Sequence, residues 1–126
     1  MKTEAKAVSS SVLEVRTKAF AIRVIRMYTA LPKTEVARVL GKQVLRSGTS
    51  VGANYREGCH ARSPAEFITK LEIALMELGE TQYWLELLTE SDTVPAARLA
   101  DLIGEAGQIK AMLVASVNTA KSRRSL

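Results

Sequence analysis

The chain has 126 residues, a length typical of one domain built around one hydrophobic core. Its 47% hydrophobic and 25% charged residues, with only three prolines and seven glycines, exclude the disordered, collagen-like and low-complexity classes. The net charge of +5 is compatible with an anionic partner, and one cysteine with one histidine exclude an internal disulfide and a structural zinc site.

The first helix is predicted over about residues 11–31. Ser11 and Glu14 have the spacing of a capping box, and Pro32 disfavours helical geometry at Leu31. We expect its core-facing residues to be Val12, Val15, Ala19, Ile22 and Ile25, in an apolar surface widened by Leu13, Phe20, Val24 and Met27.

The second helix is predicted over about residues 34–61. The stretch 47–54 is rich in Gly, Ser and Thr, and its low helix propensity would by itself indicate a loop. Because the apolar residues keep the same helical phase on both sides of this stretch, we predict one continuous helix. Its buried face is expected to contain Val36, Leu40, Val44, Ser47, Val51, Tyr55 and Gly58.

The third helix is predicted over about residues 64–91, with Ser63 as N-cap and Pro64 in the first turn. Its apolar residues step by four and three for three heptads: Phe67, Leu71, Ala74, Leu78, Thr81, Leu85 and Leu88. A fourth helix is predicted over about 95–121, followed by a basic tail at 121–126. Its core face is expected to contain Leu99, Leu102, Ala106, Ile109, Leu113 and Val117.

No segment alternates with the period of a strand, and the three connections are short. The sequence therefore predicts a single all-α domain, an antiparallel up-down-up-down four-helix bundle. No window is apolar enough to span a bilayer and the first twelve residues lack the apolar core of a signal peptide, so we expect a cytoplasmic protein with no membrane partner.

The charges are divided unevenly along the chain. Residues 1–32 and 33–62 each carry +4 and residues 93–126 carry +3, whereas residues 63–92 carry −6. The acidic third helix is expected to pair with the basic helices, either inside one bundle or across a subunit interface.

A basic stripe is predicted on the second helix, where Arg38, Lys42 and Arg46 are spaced by four residues. It is either a solvated face or a phosphate-binding surface. Aromatic residues that could stack on bases are few, so any nucleic-acid binding should depend on phosphate contacts. The candidate nucleic-acid-binding residues are Arg23, Arg26, Arg38, Lys42, Arg46, Lys121, Arg123 and Arg124.

Several short motifs suggest enzymes, and their contexts argue against each one. Residues 48–52 read G-x-S-x-G, but no strand precedes them and the one histidine is too close to Ser50 for a hydrolase triad. Gly41 and Lys42 lack the rest of a phosphate-binding loop, and the Glu-x-x-His pairs of di-iron bundles are absent. We therefore predict no catalytic residue, no metal and no cofactor.

The glycines of the second helix are instead interpreted as packing positions, where Gly48 and Gly52 let another backbone approach. Ser47, Ser50 and Asn54 are expected to form hydrogen bonds across that contact. Trp84 is interpreted as a core or subunit contact rather than a ligand cage.

A family resemblance is carried by the second and third helices. It rests on the run LGKQVLRSGTSVGANYREG at 40–58, followed by Ala61, Ser63, Phe67, Lys70, Leu71, Ala74, Glu77, Glu80, Thr81, Trp84 and Leu85. These residues resemble the four-helix-bundle family of bacterial ribosomal-RNA intervening-sequence proteins. The accessory variability determinant of diversity-generating retroelements is a close relative of that family.

The resemblance implies a non-enzymatic homopentamer and, for the retroelement branch, a basic surface that binds nucleic acid and a reverse-transcriptase partner. Arg46, Ser47, Ser50, Asn54, Arg56 and Glu57 occupy signature positions of the family. Together with Gly48, Gly52, Glu77, Glu80 and Trp84, they are assigned to helix packing and subunit interfaces.

Two functions remain open at this point. One is a basic oligomeric scaffold that binds RNA or DNA through phosphate contacts and assists a reverse transcriptase. The other is a structural module that binds an acidic protein and has no role with nucleic acid.

Overall fold

A computed structural model of the chain describes the backbone of residues 2–125 and the side chains of residues 12–124. It contains four helices: α1 (Lys2–Thr29), α2 (Glu35–Cys59), α3 (Pro64–Glu90) and α4 (Ala96–Ser125). No strand occurs within residues 2–125, which confirms the prediction of an all-α four-helix bundle.

Each helix contacts two others. With contact defined as Cα atoms within 8 Å, the contacting pairs are α1 with α2, α2 with α3, α3 with α4, and α4 with α1. Among the described residues, no Cα atom of α1 lies that close to α3, and none of α2 lies that close to α4. Gly48 and Gly52 of α2 lie against Val24 and Thr17 of α1, so residue numbers rise along one helix as they fall along the other. This antiparallel order is consistent with the up-down-up-down arrangement.

The pair α1 and α4 is held by Arg16. Its guanidinium donates to Glu105 Oε1 at 2.7 Å and to Gln108 Oε1 at 2.7 Å. Only 29% of the Arg16 side chain and 19% of the Glu105 side chain is exposed, so this is one of the less solvated ion pairs of the bundle. It joins residues 89 positions apart in sequence.

The helix ends follow local sequence signals. Thr34 and Ser63 cap α2 and α3 by accepting hydrogen bonds from the backbone N–H groups of Ala37 and Glu66, and the second of these confirms the predicted cap. At the end of α3, Asp92 takes a φ of 59° and the Thr93 N–H bonds back to the Leu88 carbonyl. This left-handed residue ends the helix and turns the chain toward α4.

Two predicted helix bounds differ from the structure. α1 begins at Lys2 rather than at Ser11, which lies inside the helix and whose side chain is outside the described residues. The capping-box spacing of Ser11 and Glu14 therefore does not mark the start of a helix. α4 continues to Ser125, so the segment predicted as a tail is helical as far as that residue, and Leu126 is outside the described residues.

The core faces of α2, α3 and α4 are close to those predicted. α2 is continuous through residues 47–54 and buries Val44, Ser47, Gly48, Val51 and Tyr55, although Val36 is 55% exposed. On α3, Ile68 takes the buried position expected for Phe67. All six core residues predicted for α4 are buried.

The core face of α1 was predicted wrongly. Leu13, Thr17, Phe20 and Val24 are buried, whereas Val12, Val15, Ile22 and Ile25 are between 39% and 65% exposed. Both sets have helical spacing, and the buried set lies on the opposite side of the helix from the exposed one. α1 is thus apolar on two faces, and the bundle covers one of them.

Candidate functional site

The predicted basic stripe of α2 divides into two parts. Arg38 and Lys42 are exposed, and neither forms an ion pair with any side chain in residues 12–124. Arg46, one helical turn further along, faces α3 and is bound there. Only the first two residues therefore retain cationic groups that no carboxylate of the described chain neutralises.

Arg46 lies between two carboxylates of α3. Its guanidinium donates to Glu77 Oε2 at 3.1 Å and to Glu80 Oε1 at 2.5 Å. Trp84 Nε1 donates to the same Glu80 oxygen at 3.2 Å. Glu77 and Glu80 are spaced by three residues and Trp84 follows four residues later, so one face of α3 presents all three to Arg46.

These contacts change the proton affinities of the groups. The Arg46 hydrogen bond, with a second one from Trp84, lowers the pKa of Glu80, and the Glu80 carboxylate in turn raises the pKa of Arg46. A hydrogen bond to Glu57 at 2.8 Å likewise raises the pKa of Lys70. The charged forms of Arg46, Glu80 and Lys70 are therefore favoured where α2 meets α3.

Most of the remaining predicted cations occupy the two ends of the bundle. Gly41 of α2 lies beside Tyr28 and Leu31 of α1, which places the end of α1 next to the beginning of α2. We call three cations the basic end: Arg26, in the last turn of α1, and Arg38 and Lys42, near the start of α2. Arg23 is not one of them, because the neighbouring Val24 faces Gly48 in the middle of α2.

The cations near the end of α4 are separate from the basic end. Lys121 forms an ion pair with Glu72 at 3.0 Å. Glu72 lies in the first half of α3, near the end of the bundle where α2 finishes and α3 begins. Arg123 and Arg124 are exposed two and three residues further along α4. Of the eight predicted binding residues, three thus lie at the basic end and three at the opposite end of the bundle, whereas Arg23 and Arg46 lie between the two ends.

The predicted packing residues act within the bundle. The buried Thr81 hydroxyl lies 2.7 Å from Ser47 Oγ, which itself donates to the Gln43 carbonyl. Gly48 faces Val24 and Gly52 faces Thr17, so both glycines allow close contact with α1.

Ser50 and Asn54 were predicted to form hydrogen bonds across a helix contact, but within this chain both bond to their own helix. Ser50 Oγ donates to the Arg46 carbonyl and Asn54 Nδ2 donates to the Ser50 carbonyl, both four residues back in their own helix. In a helix, Ser and Asn side chains can donate hydrogen bonds to the backbone carbonyl four residues earlier. Their residue type alone therefore does not predict a contact with another helix.

A groove that the sequence did not indicate runs between α1 and α2 and ends at the start of α3. Its volume is about 750 Å³, and Arg56 and Glu57, both predicted interface residues, lie along it. The lining carries both signs of charge, with Glu14, Lys18, Glu66 and Lys70 among its residues. Because acidic and basic side chains are mixed in the lining, the charge of the groove does not indicate a class of ligand.

Two further observations limit the chemistry of the described residues. No three His, Cys, Asp or Glu side chains in residues 12–124 lie close enough to hold a metal ion. Within residues 2–125, no helix is sufficiently long and apolar to cross a membrane.

Comparison with known proteins identifies a matching family and similar solved structures. The profile of the family described as "23S rRNA-intervening sequence protein" matches residues 12–115. A crystal structure of a protein with unknown function from the S23 ribosomal protein family, from Bacteroides thetaiotaomicron VPI-5482, is similar throughout the bundle. It is 37% identical, the match covers 87% of this chain and 98% of the other, and the TM-score is 0.82. No curated protein matches the chain at a significant level.

Proposed function

Since the chain belongs to the family of 23S rRNA-intervening sequence proteins, we propose that it is a non-enzymatic, cytoplasmic, oligomeric scaffold that binds RNA or DNA through phosphate contacts. Neither matching description names an enzymatic activity or a ligand. The proposal therefore depends on the charges of this chain.

The observation that carries the proposal is the basic end. Arg38 and Lys42 are exposed and form no ion pair with the described side chains, and they lie where α2 begins beside the end of α1. Arg26 lies in the last turn of α1, at the same end of the bundle. In contrast, Arg46 and Lys121 are bound by carboxylates of α3.

The acidic residues of α3 explain how a protein of modest net charge keeps such a surface. Glu77 and Glu80 face α2, and Glu72 faces α4, so part of the negative charge is used inside the bundle. Cations that cluster on a surface attract phosphates whatever the base sequence, because the contact is with the backbone of the nucleic acid. Binding should therefore be sensitive to salt and weakly selective for sequence.

The test compares wild type with Arg38→Glu/Lys42→Glu in binding to a labelled RNA hairpin and a DNA duplex. We expect wild-type dissociation constants of about a micromolar at low salt, rising steeply with salt concentration. The double variant should bind at least about tenfold more weakly and show a smaller salt dependence. Fluorescence anisotropy at several salt concentrations provides both quantities.

A matched control is Arg62→Glu/Lys110→Glu, which makes the same change of net charge at exposed positions away from the basic end, in the connection between α2 and α3 and in the middle of α4. It should bind almost as tightly as wild type if the basic end is the site. Equal losses in both variants would mean that only total charge matters, and salt-independent binding or none at low salt would contradict the proposal. Arg46 is left unchanged, because its replacement would leave Glu77 and Glu80 without their cation.

The proposal includes two partners that the family resemblance implies. One is the chain itself, as a homopentamer, which light scattering would report as five times the 13.7 kDa of one chain. The other is a reverse transcriptase, which should co-purify after nuclease treatment when the neighbouring gene encodes one. The support for this partner is the sequence resemblance at residues 40–85, which implies a relationship to retroelement accessory proteins.

A second candidate function is to bind other proteins, with no role in nucleic-acid binding. It is favoured by large apolar side chains on the outside of the bundle, among them Val15, Ile22, Met76 and Tyr83. Absence of binding to either nucleic acid, with self-assembly intact, would select this function.

A further inference from the structure

The outside of α1 presents apolar residues at the spacing of a helix contact. Val12, Val15, Ala19 and Ile22 are exposed and step by three, four and three residues. We call these four residues the outer α1 seam. They are distinct from the buried residues of α1, so packing inside the bundle does not account for them.

The outside of α3 has residues at the same spacing. Met76, Gly79, Tyr83 and Glu86 also step by three, four and three, and we call them the outer α3 seam. Met76 is 71% exposed and Tyr83 is 54% exposed, which are high values for large apolar side chains. Single exposed apolar residues are common, but a stripe of three on α1 and two large apolar side chains flanking a glycine on α3 are not explained by the bundle.

Gly79 adds a separate indication. A Cβ atom at this position would have no neighbour within 4 Å, so the bundle does not require a glycine there. A glycine inside a helix costs about 1 kcal/mol relative to alanine. Its absence of a side chain would allow another helix to approach the outer α3 seam closely.

The charges beside the two seams are opposite. Lys18 and Arg26 are exposed next to the outer α1 seam, and Glu86 and Glu90 are exposed along the outer α3 seam. None of the four forms an ion pair with a side chain of residues 12–124. Pairing two α1 faces would place like charges together, whereas pairing α1 with α3 places opposite charges together.

We infer that the outer α1 seam of one copy docks on the outer α3 seam of a second copy. α1 and α3 do not contact each other within the bundle, so one copy cannot join its own two faces. Each copy then uses a different face toward each neighbour, which is a head-to-tail contact. The inference rests on the proposed self-assembly and names the surfaces that produce it.

The experiment uses two variants that each remove one face. Val15→Glu/Ile22→Glu places negative charges in the outer α1 seam, and Met76→Glu/Tyr83→Glu does so in the outer α3 seam, so that the two altered faces repel each other. All four positions are exposed, so folding should persist, and circular dichroism verifies it. In sedimentation equilibrium each variant alone should lose assembly and show a mass of 13.7 kDa. Mixed in equal amounts, they should form a dimer that grows no further, because each retains the face that the other lacks.

The control is Val114→Glu on the outside of α4, a helix that also exposes glycines without close neighbours, Gly104 and Gly107. It should assemble like wild type. Dissociation by this variant, with the α3 variant still assembled, would identify α4 as the partner face and overturn the inference. A mixture of the two seam variants that remains monomeric would also overturn it.

The result is distinguishable from failure of the proposed function. A monomeric wild type would contradict self-assembly and this inference together, but would leave nucleic-acid binding to be judged by the Arg38 and Lys42 variants. An assembled wild type whose seam variants also assemble would contradict this inference alone. Arg26 belongs to both surfaces, so neither experiment replaces it.

Discussion

Arg46 received two assignments from the sequence, one to a cationic stripe and one, through the family resemblance, to helix packing. Its spacing from Arg38 and Lys42 predicts a common cationic stripe, yet its guanidinium binds Glu77 and Glu80 of α3. The contact joins residues more than thirty positions apart. It depends on the relative register of α2 and α3, which helical spacing within α2 does not reveal. Arg46 therefore belongs to helix packing in this bundle.

The Arg46 contact predicts a dependence of stability on pH. The hydrogen bond from Arg46, followed by that from Trp84, lowers the pKa of Glu80 in the folded chain. The stabilisation is therefore complete above the ordinary carboxyl pKa of about 4.3 and is lost as the pH falls through the lowered value. In urea unfolding, Glu80→Gln should be less stable than wild type near neutral pH, and the difference should disappear under strongly acidic conditions.

Asp101→Asn provides the comparison, because Asp101 is exposed and has no ion pair among the described side chains. This variant should follow the wild-type pH profile. A stability difference between wild type and Glu80→Gln that stayed constant down to low pH would show that Glu80 acts through packing rather than through its charge.

Among the elements, α2 depends most on residues that have no side chain. Gly48 lies against Val24 so closely that an added Cβ would be 2.9 Å from Val24 Cγ2 and 3.1 Å from Cγ1. Val24 is fully buried and its branched side chain has few alternative rotamers. The low helix propensity of residues 47–54 is thus offset by the close approach of α1.

Gly48→Ala should therefore destabilise the bundle by about 1–3 kcal/mol, because overpacking outweighs the gain in helix propensity. Gly104→Ala is the matched control: a Cβ there meets nothing within 4 Å, and the variant should be up to about 1 kcal/mol more stable. Chemical denaturation of both variants measures the two signs. Stabilisation by Gly48→Ala would mean that α1 can shift to make room.

Helix periodicity predicted the elements well and the orientation of one element poorly. α3 repeats its core residues every seven positions and α4 has one continuous core stripe, so their buried faces follow from spacing, except that Ile68 replaces Phe67. α1 carries two, and Val12, Val15 and Ile22 satisfy the spacing rule as well as Leu13, Phe20 and Val24 do. Spacing cannot tell which of two stripes the bundle covers, because that choice depends on the neighbouring helices.

The candidate site was predictable to the same extent. The stripe at Arg38 and Lys42 could be predicted from the sequence, because both residues are cations at helical spacing and their exposure does not depend on a contact with another helix. The separation of Arg123 and Arg124 from the basic end required the fold, because the antiparallel course of the chain sends the end of α4 toward the first half of α3.

For the whole molecule, the order of contacts around the bundle is the main organising feature. Three of the four contacting helix pairs are consecutive in sequence, and only the pair of α1 with α4 joins distant parts of the chain. The polar residues of this last contact, Arg16, Glu105 and Gln108, gave no signal in the sequence.

The Arg16 contact has a consequence for how fast the chain folds and unfolds. Helix pairs that are close in sequence form early, because closing a short loop costs little entropy, and the distant α1–α4 contact should form after the rate-limiting step. Arg16→Ala should lower the free energy of unfolding by about 1 kcal/mol and, for a contact absent from the transition state, raise the unfolding rate about fivefold with little change in folding rate. Stopped-flow measurements of both rates across denaturant concentrations test this. A slower folding rate would place Arg16 in the folding nucleus, with α1 and α4 meeting before the bundle is complete.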